Sequence, residues 1–217
     1  MQLTMQVIAL SILALGAAIA AIYSSYHAKG QLAFRILKPS TTVLLIVIVA
    51  VSARGSGLRY SGLIGAGLLF SLAGDTLLML PPRFFASGLL SFLMTHVLYF
   101  LAFTSISGIA LAHLGTPLLG IAGVVLATLV LPGVEPSLRL PVVLYTMVIS
   151  LMAAQAIGAA IVQGTDALQI AAAGALFFYV SDATLAIDRF RSRFSAAHAI
   201  VLSSYWLGQW MIAISVS

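Results

Sequence analysis

Eight apolar stretches run through this chain, at roughly 5–26, 39–53, 60–80, 84–104, 117–131, 141–162, 168–187 and 197–216. About 20 mainly apolar residues carry a helix across a hydrocarbon layer, and most of the eight approach that length. The connectors between them are short and hold the usual helix breakers: Lys38-Pro39, Arg54-Gly55-Ser56-Gly57, Pro81-Pro82, Leu131-Pro132-Gly133 and Gln163-Gly164-Thr165-Asp166. The second and fifth stretches are short, as tilted or partly buried helices are. Charge is correspondingly scarce. The 217 residues include 10 Lys and Arg and 5 Asp and Glu, 7% in all, against 62% hydrophobic residues. A soluble domain is about a quarter charged, so an ordinary water-soluble fold is excluded. The net charge of +5 comes from a few segment ends rather than a basic face, which argues against nucleic-acid binding. With no cysteine, disulfides, thiolate nucleophiles and Cys-based metal sites are absent too.

The fold class that follows is an all-α integral membrane protein of eight transmembrane helices, with residues 1–217 forming a single membrane domain. No Lys or Arg precedes the first apolar run, so it reads as a retained helix rather than a cleaved signal peptide. The odd-numbered loops hold Lys29, Arg35, Lys38, Arg83, Arg139, Arg189, Arg191 and Arg193, and the even-numbered ones only Arg54 and Arg59. The positive-inside rule then puts the odd loops in the cytoplasm and both termini on the other side, as in a bacterial cytoplasmic (inner) membrane. Asp188 with Arg189, Arg191 and Arg193 reads as part of that anchor.

Residues 65–80 laid over 172–187 match at six of sixteen positions, including Asp75 with Asp182. Pro39 and Pro141, and Arg83-Phe84 and Arg193-Phe194, fall at matching places around them. This suggests two tandem parallel four-helix repeats, with halves at about 1–110 and 111–217, although chance matches among Ala, Gly and Leu are common in apolar helices.

Asp75 and Asp182 are the only carboxylates inside the stretches. An ionisable group at membrane depth costs about 2.5–3.5 kcal/mol even on the milder insertion scale, and is functional by default. Each lies six residues before Pro81 or Asp188, about 9 Å inside the cytoplasmic end at 1.5 Å per residue. Two carboxyls at matched depth in parallel helices can converge and share one proton, an acid beside a base. His96 and Tyr99 share a face of the fourth stretch. Lys38 stands on the same side as the aspartates, able to meet a lipid phosphate or to anchor by snorkelling. Tyr145, Tyr205 and Gln209 add polar groups that serve packing equally well, and Gly74 and Ser181, just before the aspartates, permit close helix approach. Trp206 and Trp210 read as interface or packing groups. Nucleophile-elbow, zincin, P-loop and dinucleotide motifs are missing, and the four histidines show no zinc spacing, so neither a metal nor a cofactor is expected.

The ordered set Lys38-Pro39, Gly74-Asp75, Ser91-Phe92 with His96 and Tyr99, Phe177-Phe178-Tyr179-Val180-Ser181-Asp182-Ala183-Thr184-Leu185-Ala186 with Arg189-Phe190, and Tyr205 with Gln209 resembles the YhhN-like lysoplasmalogenase family over about residues 30–212. The resemblance implies an eight-span membrane enzyme that hydrolyses the vinyl ether bond of lysoplasmalogens. The products would be a fatty aldehyde and glycerophosphocholine or glycerophosphoethanolamine. Its partners would be a lysophospholipid substrate and membrane lipids. On that basis Asp75 and Asp182 form the acid/base pair, His96 and Tyr99 orient water or an aspartate, and Lys38 holds the phosphate. Vinyl ether cleavage protonates carbon and passes through an oxocarbenium-like cation, as glycoside cleavage between two carboxyls does. Two other readings use the same residues: a proton- or cation-coupled carrier, and a catalytically silent lipid-binding protein.

Overall fold

Backbone hydrogen bonds have no water to turn to in hydrocarbon, so the apolar stretches close them internally as helices. The computed structural model describes residues 4–52, 57–111 and 113–217, and there the chain forms eight α-helices. They are α1 (Met5–Ser25), α2 (Gln31–Ser52), α3 (Leu58–Leu78), α4 (Phe85–Ser107), α5 (Gly115–Val130), α6 (Pro136–Gln163), α7 (Asp166–Phe190) and α8 (Ala197–Ile214). Thr4 and Thr165 cap α1 and α7 by accepting hydrogen bonds from Val7 N and Leu168 N, both 3.4 Å long. Gly164 ends α6 with φ +64°, a backbone conformation that favours glycine. Of the expected breakers, Arg54-Gly55-Ser56 lies outside the described residues.

Two expected helix starts are overturned. Pro39 and Pro141 do not begin their helices but lie inside them, α2 starting eight residues earlier and α6 five. A proline removes one N–H bond to the carbonyl four residues back. At Pro39 the carbonyl that loses its partner is that of Arg35, and the hydroxyls of Ser40 and Thr41 donate to the next two carbonyls, Ile36 and Leu37, at 2.8 and 2.9 Å. Pro136 takes the first position of α6, where a missing N–H costs nothing.

Seven helices, α1 to α7, are long and apolar enough to cross a membrane, which makes this an integral membrane protein. The last expected span, α8, falls outside that group. Over only 18 residues it carries His198, Ser203, Ser204 and Gln209. It is nonetheless an inner element: α2, α3, α4, α6, α7 and α8 follow one another in a closed ring, α8 returning to α2. Outside the ring, α1 lies on α2 and α8, and α5 lies on α6 and α7. One end of the bundle gathers the odd-numbered connections. There Tyr26 and Phe34 meet the His198 ring, and Phe85 meets Phe190 at 6.0 Å.

Small residues let α3 and α4 approach closely. Gly67, Ser71 and Gly74 recur at i, i+4 and i+7 on α3, and Tyr99, Thr95 and Phe92 of α4 fill the space above them. A β-carbon on Gly67 would strike Tyr99, and one on Gly74 would lie 2.6 Å from the Phe92 ring. On the other side of the ring Gly174 of α7 and Gly208 of α8 meet in the same way. Gly74→Val should therefore destabilise the folded protein by about 1–3 kcal/mol through overpacking. Gly62→Ala, whose β-carbon meets nothing within 4 Å, should stay within about 1 kcal/mol of the parent. Thermal unfolding in detergent measures both, and equal midpoints for the two variants would refute the packing argument.

Candidate active site

Asp182 sits near the middle of α7, where Tyr145 of α6 and His96 of α4 converge on it. The Tyr145 hydroxyl donates to Asp182 Oδ2 at 2.5 Å, and His96 Nε2 lies 3.0 Å from the same oxygen and 2.9 Å from the Tyr145 oxygen. An ionised carboxylate only accepts, so in the neutral imidazole Nε2 carries the hydrogen and Nδ1 the lone pair. Nδ1 is buried without a partner among the described residues. Every described hydrogen bond to Asp182 ends on Oδ2, which leaves Oδ1 unengaged. The side chain keeps 13% exposure, while Asp75 keeps 1%.

That exposure is toward a cavity. It is a narrow space of about 50 Å³ between α4, α5, α6 and α7, open at one side. Its walls are Leu89, Phe92, Leu126, Val142 and Ile149; Asp182, Tyr145 and Thr146 supply polarity, and Arg189 lines it as well. The arrangement is an apolar chamber with one carboxyl able to give or take a proton inside it. Among the described residues no three His, Asp or Glu side chains cluster as metal ligands would.

Asp75 belongs to a second, separate cluster. Lys38 Nζ of α2 lies 3.3 Å from its Oδ1, and Thr42 of α2 and Tyr205 of α8 donate to its Oδ2 at 2.7 and 2.8 Å. Between the clusters stands an aromatic layer in which Phe178 packs edge-on against Tyr205 at 5.3 Å, Phe92 at 6.3 Å and His96 at 4.7 Å. The two aspartates therefore do not form the single hydrogen-bonded pair that their sequence positions suggest. Every described side-chain bond of each aspartate stays within its own cluster. Depths counted from the helix ends differ as well, because α3 ends three residues after Asp75 and α7 eight after Asp182. At 1.5 Å per residue these are about 4.5 and 12 Å.

The other candidates divide between the clusters and the scaffold. Lys38, expected at a lipid phosphate, is buried against Asp75 instead. Tyr99 lies in a layer one turn farther along, where its hydroxyl donates to Gln209 Oε1 at 2.6 Å and Gln209 Nε2 donates to Ser71 at 2.7 Å. This ties α4, α8 and α3 together away from the cavity. Ser181 donates to the Val201 carbonyl at 3.0 Å and joins α7 to α8. Thr42 escaped the sequence reading, yet it falls four residues after Lys38, on the same helix face. Arg189 was taken only as a charge anchor; its place on the face of Asp182, seven residues on, was the available signal.

Removing one partner of a buried ion pair leaves an uncompensated charge, which costs about 3–5 kcal/mol. Lys38→Met should lower stability by that amount, and adding Asp75→Leu should recover most of the loss. Urea or thermal unfolding of the detergent-solubilised protein reads both; a Lys38→Met variant as stable as the parent would show that the pair is not charged.

The YhhN family matches the chain over residues 33–216. Among curated proteins, the human lysoplasmalogenase TMEM86A is 31% identical over 153 residues, covering 69% of this chain and 62% of that protein. Human lysoplasmalogenase TMEM86B is 32% identical over 161 residues, covering 72% and 64%. The pig lysoplasmalogenase TMEM86B is 30% identical over 175 residues, covering 80% and 72%. The chain thus spans a little under two thirds of the length of the two human relatives. No solved structure matches it. A match that takes in both aspartate clusters and all but the N-terminal helix region is enough for assignment: the chain belongs to the YhhN family.

Proposed function

We propose that this protein is a lysoplasmalogenase, cleaving the vinyl ether of a single-chain plasmalogen to a fatty aldehyde and a glycerophosphocholine or glycerophosphoethanolamine. The names of its relatives support the reaction class. The observation that carries the mechanism is the lopsided hydrogen bonding of Asp182, with both donors on Oδ2 and Oδ1 free beside the cavity.

In the starting state Oδ1 holds the proton and Oδ2 is the carbonyl oxygen accepting from Tyr145 and His96. The proton passes to the vinyl carbon remote from the ether oxygen, and the π electrons form the new C–H bond. The ether oxygen shares the positive charge left on the adjacent carbon, beside a carboxylate that is now negative and held by the same two hydrogen bonds. Water adds to that carbon and gives its proton back to Oδ1. The hemiacetal then breaks, its hydroxyl proton going to the departing glycerol oxygen. One carboxyl thus acts as acid and then as base, as glycosidase carboxyls do around a similar cation. Tyr145 and His96 are positioning residues. Asp75, paired with Lys38, acts through the packing of α2, α3 and α8 rather than on the substrate. The alkenyl chain lies along the apolar walls. It leaves sideways at Thr146, which the cavity shares with an apolar groove between α5 and α6.

The same reading extends to topology. We take α8 as an eighth span and the chain as two tandem halves, supported by a matched crossing of partners. Asp75 is held from α2 and α8, Asp182 from α6 and α4, and each pair corresponds when the fifth helix is laid on the first. The basic end, where the odd connections meet, faces the cytoplasm, with both termini opposite.

Asp182→Asn should reduce aldehyde release from a lysoplasmalogen in detergent by at least about a thousandfold, within the range for an acid–base group. Tyr145→Phe should lose about 10–100-fold, one hydrogen bond to a charged group. Proton transfer to carbon should also slow turnover in deuterium oxide. Full activity in Asp182→Asn would rule out this mechanism.

A further inference from the structure

With Lys38 locked against Asp75, the cavity needs another cation if its ligand carries a phosphate. The geometry points to Arg189 as the phosphate-binding group, so that Asp182 and Arg189 bracket the ether and the phosphodiester of one amphiphile. This assignment takes its ligand class from the ether-lipid reading above.

Four observations converge on it. Arg189 lines the same cavity as Asp182. The two lie seven residues apart on α7, close to two full turns, so they share a face with about 10 Å between them along the axis. That distance suits a glycerol unit between an ether oxygen and a phosphate, once the reach of both side chains is counted. The guanidinium is held, not loose: its centre stands 4.8 Å above the Phe85 ring, and Phe85 is braced edge-on by Phe190 at 6.0 Å. Finally, no described ion pair uses Arg189, since the neighbouring Asp188 accepts from the Phe194 N–H at 3.2 Å instead. Arg193, three residues beyond the end of α7, does not line the cavity. A planar guanidinium fork over the mouth of an apolar chamber matches a phosphate oxygen pair.

The test is ligand binding to the full chain in detergent, using a saturated 1-O-alkyl lysophosphocholine, a 1-O-alkylglycerol of the same chain length, and inorganic phosphate. The saturated ether lacks the double bond that the reaction needs, so binding is read independently of cleavage. A protein that binds it but cleaves no vinyl ether would separate failure of the proposed reaction from failure of this site. Arg189→Gln should weaken the phosphate-bearing lipid by at least about tenfold and change the alkylglycerol by less than about twofold, the signature of one lost charge-assisted bond. Arg189→Lys should fall between, and Arg193→Gln should bind both lipids as the parent does. Three results would overturn the proposal: equal losses for both lipids in Arg189→Gln, equal losses in Arg193→Gln, or displacement of the lysolipid by inorganic phosphate at equal concentration.

Discussion

The constraint that shapes this molecule is that hydrocarbon offers no partner to a polar group, so each one inside the bundle must find its partner in the protein, in its own helix or in another. Thr95 reaches the Gly67 carbonyl at 3.0 Å, Ser91 the Phe70 carbonyl at 2.8 Å and Ser181 the Val201 carbonyl at 3.0 Å, each a stitch between sequential helices. Gln209 accepts from Tyr99 and donates to Ser71, fastening three helices with one amide. Where the rule is relaxed, the places are informative. Among the described residues the buried side-chain atoms without a partner are His96 Nδ1, Tyr179 OH and Trp206 Nε1. His96 holds Asp182, and Tyr179 lines the cavity. Two of the three thus stand at Asp182 or its cavity, whereas Trp206 lines the groove beside α1.

The two aspartates show why equal residues need not do equal work. Asp75 faces a cation, so its charge is neutralised in place, and a buried pair of that kind fixes helix register more than it adds stability. Asp182 is held instead by a phenol and an imidazole, with no lysine or arginine in hydrogen-bonding contact among the described residues. On the proposed mechanism a proton leaves Oδ1 without breaking a lysine ion pair. At Asp75 the same event would disturb an ion pair and three helices with it.

Much of this was legible in the sequence. The apolar runs gave the helices to within a few residues, except where Pro39 and Pro141 were read as starts. A proline inside a helix removes only one hydrogen bond, and nothing in composition says whether the rest of the helix will hold across it. The two intramembrane carboxylates stood out because membrane-depth charge is rare. Their separation did not, since spacing along a helix measures depth but not which neighbour fills the gap, and here that neighbour is the Phe92–Phe178–Tyr205 layer. Lys38 was placed on the right side and given the wrong partner: a long side chain near a helix end can reach out to a headgroup or inward, and only the position of Asp75 decides it. Tyr145 looked like one packing residue among several, yet in the folded chain it donates to Asp182.

On the two-halves reading, the corresponding grooves differ in whether they reach the aspartate. Beside α1, a groove is lined by Ile8, Leu45, Trp206 and Trp210, and it does not reach Asp75. Beside α5, the equivalent space opens inward past Leu126 and Thr146 to Asp182. The difference follows from what sits at the helix preceding each aspartate. On α2 a lysine and a threonine close over the carboxylate, whereas on α6 a single tyrosine reaches it from one side and leaves the other oxygen bare. On the proposed mechanism such a scaffold needs only one reactive carboxyl, because vinyl ether hydrolysis consumes no proton overall and the group that delivers it can recover it from water. The other is then free to become an ion pair, and its charge serves the packing that holds the aromatic wall of the first in place.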